Sequence, residues 1–175
     1  VHETSRQDPK IGRPGILLEI NPDGGYVIGV EIGVNFISVA LTNFVATALW
    51  QQRESTQADA GQIAIMQHAE NLIEEAMNFG AVRGLRPLGI GVGMPGLVDT
   101  HQGKLVFAPN LKWENMPVGL IWMHRFNLPV FVENEANCAA LGEFFYGAAH
   151  NINSFIHLTT GIGLGGGVMI NGRLF

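Results

Sequence analysis

The chain has 175 residues, 47% apolar and only 14% charged, with a net charge of −5; that suffices for one ordinary domain or two small lobes around a sizeable core and excludes extended disorder. No Lys/Arg block occurs, which argues against nucleic-acid binding by this stretch itself, and the single cysteine, Cys138, rules out an internal disulfide framework or a Cys-rich zinc site. No apolar run approaches the roughly 18–20 residues of a membrane span, and the polar start lacks a signal-type apolar segment, so a cytoplasmic protein with no membrane partner is expected.

Residues 1–15 carry no periodicity and, with Gly12, Pro14 and Gly15, read as a linker or arm trailing something upstream. Ile16–Ile20 is a short strand, and Asn21-Pro22-Asp23-Gly24-Gly25 is strong turn chemistry. Tyr26–Ile32, Phe36–Leu41 and Val45–Gln51 are β-rich runs whose short connections, Gly33-Val34-Asn35 and Thr42-Asn43-Phe44, suit antiparallel hairpins. From Asp59 to Phe79 the period changes. Ile63, Met66, Ala69, Ile73, Ala76 and Met77 fall on one face and Glu70, Glu74 and Glu75 towards the other, which predicts an amphipathic helix ended by Gly80. Its Met and Phe residues are expected in the core.

Leu88–Val92 is a buried strand, followed by the turn Gly93–Gly96, extended Leu97–Asp99, a turn at His101–Gly103 and strand Leu105–Phe107. Ala108–Leu111 reads as a loop and Val118–Phe126 as a short helix. Pro129–Glu143 is the stretch around which the chain is organised. The strand run Val130–Val132 passes through the polar corner Glu133-Asn134-Glu135 into Ala136–Phe145, whose Ala and Leu favour helix; Cys138 inside it reads as a small buried hydrophobe. Ligands of open α/β sheets bind at such carboxyl strand ends, while the plainer reading has Asn134 or Glu135 capping the helix. Phe155–Leu158 and Val168–Ile170 are strands joined by the glycine-rich Thr160–Gly167, with a tight turn at Asn171-Gly172. The whole is a mixed sheet with helices against it, an α/β fold.

Two segments, Gly91–Gly96 and Gly161–Gly166, match G-x-G-x-x-G, but the first contains Pro95 and leads into extended chain, and the second runs into a strand. A dinucleotide fingerprint needs a helix there, so both read instead as glycine turns. Gly33 and Gly161–Gly167 form two glycine hairpins whose bare N–H groups suit an anion, and two of them facing across a cleft would clamp a phosphate; tight turns without any ligand are the alternative. His2, His68, His101, His124, His150 and His157 show no paired ligand spacing, and no metal site is assigned.

Tyr26–Gly33, Gly91–Asp99, Ala108–Leu111, Val132–Asn137 and Thr160–Gly172 together resemble, in order, the ROK family of repressors and sugar kinases. The resemblance implies an actin-like, ribonuclease-H-like ATPase lobe over residues 16–175. Gly12-Arg13-Pro14 followed by Leu17–Pro22 is similar to the junction of the repressor branch, where a winged helix-turn-helix precedes the sugar-binding part. DNA contact is then expected only through such a module, and a homo-oligomer, dimer or higher, is expected. Gly96, Asn110, Asn134 and Glu135 fall on the family's sugar contacts, and Glu135 on its catalytic base. Glu31, Gly33, Asn35, Gly161 and Gly163 are what remains of its phosphate loops. Departures concentrate at the nucleotide side: Glu31 stands for an Asp, Val34 for a glycine, Asn35 and Ile162 for threonines, and Glu135 for the Asp base. No cofactor is assigned to the chain. The family's zinc motif and its Glu-x-Gly-His sugar contact would lie beyond Phe175, and Mg-ATP use is left to the kinase alternative. The resulting expectation is a monosaccharide-sensing part of a repressor; an ATP-dependent sugar kinase with Glu135 as base, and a lobe serving only folding and dimer contact, are the competing readings.

Overall fold

The computed structural model of the chain describes residues 2–6 and 16–175. A first hairpin pairs β1 (His2–Arg6) with β2 (Ile16–Glu19). The apolar alternation of the next segments then sets the centre of the molecule. β3 (Tyr26–Ile32) buries Tyr26, Ile28, Val30 and Ile32, and β4 (Phe36–Asn43) buries Ile37, Val39 and Leu41 on the same side. They pair antiparallel from Tyr26↔Asn43 to Ile32↔Ile37, and β5 (Ala48–Ser55) continues the antiparallel order. After a 3-10 turn at Ala58–Ala60, α1 (Gln62–Val82) crosses the sheet and lays Ile65, Met66, Ala69, Leu72, Ile73 and Ala76 on its apolar side. Each fully buried Ile or Leu of this layer contributes about 1.5–3 kcal/mol.

β6 (Pro87–Met94) returns parallel to β3. A three-stranded sheet follows, made of β7 (Leu97–Asp99), β8 (Lys104–Ala108) and β9 (Trp113–Met116), and α2 (Val118–Phe126) leads on from it. β10 (Val130–Asn134) adds parallel to β6, completing the five-stranded order β10-β6-β3-β4-β5. α3 (Glu135–Tyr146) starts directly from its end and carries β11 (Phe155–Thr160), β12 (Leu164–Ile170) and β13 (Arg173–Leu174). Gly165 and Gly167 of β12 let it close on Ala136 and Ala140 of α3; at Gly167 a Cβ would collide with both.

Several sequence expectations shift. Residues 2–6, read as part of a linker, form a strand, and the Gly12-Arg13-Pro14 junction lies outside the described residues. The β4–β5 turn sits at residues 44–47 rather than at Thr42–Phe44, because Asn43 Oδ1 accepts from the N–H groups of Val45 and Thr47. Ile63, assigned to the core face of α1, is exposed, whereas Glu70, assigned to the outer face, is buried. Glu70 takes the Trp122 Nε1–H at 3.1 Å and pairs with Arg125 at 3.1 Å, so α2 packs on the polar edge of α1. Gly80 does not end α1; it sits in its last turn, where the ring of Tyr26 fills the space of a side chain. β9 is a strand where no element was expected. Cys138 is half-buried rather than buried.

Candidate functional site

The carboxyl ends of β3, β6 and β10 open on a cleft of about 620 Å³, closed on its far side by the β11–β12 turn. The cleft brings together every residue that the sequence singled out: Glu31, Gly33 and Asn35; Gly96 and Asn110; Asn134 and Glu135; Gly161 and Gly163. Both glycine hairpins therefore face one space, although the second is tighter than expected, with only residues 161–163 outside the strands. Neither G-x-G-x-x-G match precedes a helix, since one lies in β6 and its turn and the other leads along β12.

Glu135 is placed by the start of α3. Asn134 caps that helix, its Oδ1 accepting from Ala136 N–H at 2.9 Å and Asn137 N–H at 3.3 Å. Its Nδ2 donates to the Gly96 carbonyl at 3.0 Å and to Glu135 Oε2 at 2.6 Å. These four bonds use the full capacity of the amide. Asn134 thus ties the β6–β7 turn, the helix start and the Glu135 carboxylate into one unit. Neighbouring Glu133 accepts from Asn137 Nδ2 at 3.0 Å and from Asn134 N–H at 2.7 Å.

The opposite wall is the β3–β4 hairpin. Gly33 N–H donates to the Phe36 carbonyl at 2.8 Å, and the buried Thr56 hydroxyl donates to the Gly33 carbonyl at 2.8 Å. Thr56 N–H also reaches the Asn35 carbonyl, so the hairpin is braced from the end of β5. Phe36 and Arg53 of the cleft went unseen as site residues in the sequence, as did Thr159; the guanidinium of Arg53 lies 3.6 Å from the Phe36 ring centroid. The signal that could have found Arg53 is register: a charge on β5 that alternates to the same side of the sheet as Glu31, two strands away, opposite the side that α1 covers.

Burial pushes the Glu31 carboxyl above its ordinary value, with Arg53 opposing the shift. Burial also raises Glu135, with the charge of Glu31 adding to it and its own and Ala136 backbone N–H groups opposing. The Cys138 thiol is pushed up to about 11 by burial and by the carboxylates of Glu133, Glu31 and Glu135, so it is no nucleophile at neutral pH. Two carboxylates, a carboxamide (Asn110) and a guanidinium around one cavity can accept from and donate to a ring of hydroxyls. Among the described residues no group of three His, Cys, Asp or Glu comes together to hold a metal ion.

A profile of the ROK family matches residues 27–175. The chain belongs to the ROK family. The xylose repressor of Caldicellulosiruptor bescii is 37% identical over 166 residues, which is 95% of this chain and 42% of that one. A solved ROK family transcriptional regulator, a homologue of the E. coli MLC protein, superposes with a TM-score of 0.82 at 25% identity over 93% of this chain and 41% of its own. A ROK glucokinase from Streptomyces griseus, solved with glucose and AMPPNP, gives 0.74 at 34% identity over 86% of this chain and 46% of its own. The chain spans less than half the length of these relatives. Its fold is the actin-like ATPase lobe that this ROK match implies. No helix among the described residues is long and apolar enough to cross a membrane.

The hairpin end of the cleft does not fit a metal-bound triphosphate. The branched side chain of Val34 lines the wall where phosphate would need bare backbone.

Proposed function

We propose that this chain is the sugar-binding lobe of a ROK-type transcriptional repressor, in which a monosaccharide held in the cleft biases a homo-oligomer between DNA-bound and released states. The observation that carries the reading is the convergence of Glu31, Gly96, Asn110 and Glu135 on one cleft whose nucleotide end is altered. The higher identity to a xylose repressor supports it and makes D-xylose the first ligand to try. DNA contact belongs to a winged helix-turn-helix outside residues 16–175. Such a switch requires the sugar to bind the two states with different affinity.

The test is thermal unfolding of the full-length protein with D-xylose and other aldoses, each with and without Mg-ATP, beside operator retention in a gel. A hundredfold excess of ligand over Kd adds about 2.7 kcal/mol to stability. A shift with one sugar, none with Mg-ATP, and loss of operator binding on adding that sugar is the expected result. Operator binding indifferent to every sugar overturns it. A sugar kinase with Glu135 as base is the second reading, favoured by the upward-shifted Glu135 carboxyl. It predicts sugar-dependent ADP release that Glu135→Gln abolishes.

A further inference from the structure

Asn43, Thr56 and Glu70 are the polar side chains buried among the described residues. Asn43 braces the β4–β5 turn, and Glu70 joins α1 to α2. Thr56 instead directs its bonds at the cleft wall. It follows β5 directly, is 1% exposed, and does not itself line the cleft. A hydroxyl so buried is costly without a partner. That of Thr56 donates at 2.8 Å to the carbonyl of Gly33, 23 residues earlier in the chain, while its N–H donates to the Asn35 carbonyl at 3.1 Å. The turn that receives them closes only in part by itself. Gly33 N–H donates to the Phe36 carbonyl, but among the described residues Phe36 N–H makes no bond back to the Gly33 carbonyl, and the Thr56 hydroxyl takes that place. Glu31, Gly33, Val34, Asn35 and Phe36 of this hairpin all line the cleft.

We propose that Thr56 is a positioning residue of the ligand cleft: its hydroxyl holds the β3–β4 hairpin in the setting that presents Glu31 and Asn35 to a sugar, so affinity depends on a group the sugar never touches. This rests on the sugar-binding reading above. Without the hydroxyl the Gly33 carbonyl loses its donor, and the turn is released to other arrangements in search of one. A cleft that is competent only for a fraction of the time binds with its Kd raised by the inverse of that fraction. The opposite wall, at Asn134 and Glu135, is fixed by its own bonds to Gly96 and α3, so the loosening stays on the hairpin side.

Calorimetric titration with D-xylose and hydrogen–deuterium exchange, both on the full-length protein, test this in wild type, Thr56→Val and Thr56→Ser. Thr56→Val keeps the shape and loses the donor, whereas Thr56→Ser keeps the donor and loses a buried methyl, so both lower the unfolding midpoint. Only Thr56→Val is expected to raise the Kd for D-xylose, by about tenfold, the equivalent of 1.4 kcal/mol. It alone also speeds amide exchange in the peptide spanning residues 31–37, by about the same factor. Thr56→Ser stays at the wild-type level in both. Unchanged affinity or unchanged hairpin exchange in Thr56→Val overturns the proposal, as does an affinity that falls with stability in both variants. Should Thr56→Val fold poorly, Thr56→Ala against Thr56→Ser, which differ by the hydroxyl alone, carries the same comparison. If wild type binds neither D-xylose nor any other aldose, the sugar reading fails, while the exchange arm still decides whether Thr56 fixes the hairpin.

Discussion

At Gly96 the chain turns with φ +98°, and a Cβ there would run into the Phe107 carbonyl oxygen. The same residue's carbonyl receives Asn134 Nδ2. Gly96→Ala is therefore expected to cost at least about 2 kcal/mol, from the left-handed backbone and the displaced β8 strand, read as a lower urea midpoint at unchanged slope. Asn134→Ala removes the α3 cap and leaves Glu135 Oε2 without its donor, a loss of about 1–2 kcal/mol. Asn134→Asp keeps an acceptor for Ala136 N–H but places a carboxylate against Glu135, so it restores much of the stability and none of the ligand response. The two raised carboxyls also fix a pH dependence. A carboxyl whose native pKa lies above its unfolded value binds its proton more tightly when folded, so its contribution to stability falls as pH rises from the ordinary value of 4.5 through the raised one. At neutral pH the ionised Glu135 beside Glu31 is a net cost. Glu135→Gln should hence be more stable than wild type at pH 7, by a margin that shrinks towards pH 4; urea midpoints at the two values check it, and a margin that grows on acidification contradicts the assignment.

Within α1, Gly80 shows why helix propensity alone misleads. A glycine inside an exposed helix is worth replacing by alanine, a gain of up to about 1 kcal/mol. Here the Cβ would sit 2.5 Å from Cε1 of Tyr26, whose ring is 1% exposed and has nowhere to go. Gly80→Ala is thus expected to destabilise, and a rise in thermal midpoint would show that the ring yields. This contact also explains why glycine read from sequence as a helix end lies inside the helix, which runs to Val82. Local pattern did reach β3, α2 and the β10–α3 corner, because in each the apolar period or the polar corner is unambiguous. It failed where tertiary contact overrides the pattern. Glu70 is polar by composition yet buried, because Trp122 and Arg125 from a helix 50-odd residues away complete its hydrogen bonds. Trp113-Glu114-Asn115-Met116 is too polar to read as a strand, and only pairing with β8 makes it one. Of the site, the residues carried by the family resemblance were legible, whereas Phe36 and Arg53 depend on the register between β4 and β5, which no local window contains.

On the scale of the molecule, the two walls of the cleft belong to sheets of different character. The five-stranded sheet buries one face beneath α1, but β11 and β12 turn only their Phe155, Met169 and glycine side towards α3. Ile156, Leu158 and Leu164 alternate onto the opposite side and are 64%, 65% and 78% exposed, with Phe145 and Tyr146 of α3 also exposed. An exposed apolar surface of this kind marks either an interface or a route to association. Because Ile156 and Leu158 contribute little to the core of these 175 residues, replacing both by lysine should leave the stability of this lobe within about 0.5 kcal/mol of wild type. The same pair of changes should lower the binding of an apolar dye such as ANS and shift size-exclusion elution of a concentrated sample towards the monomer. An unfolding midpoint that drops sharply with dye binding unchanged would mean instead that the face is packed in solution against part of the lobe itself, and the β11–β12 wall of the cleft would then be held from both sides.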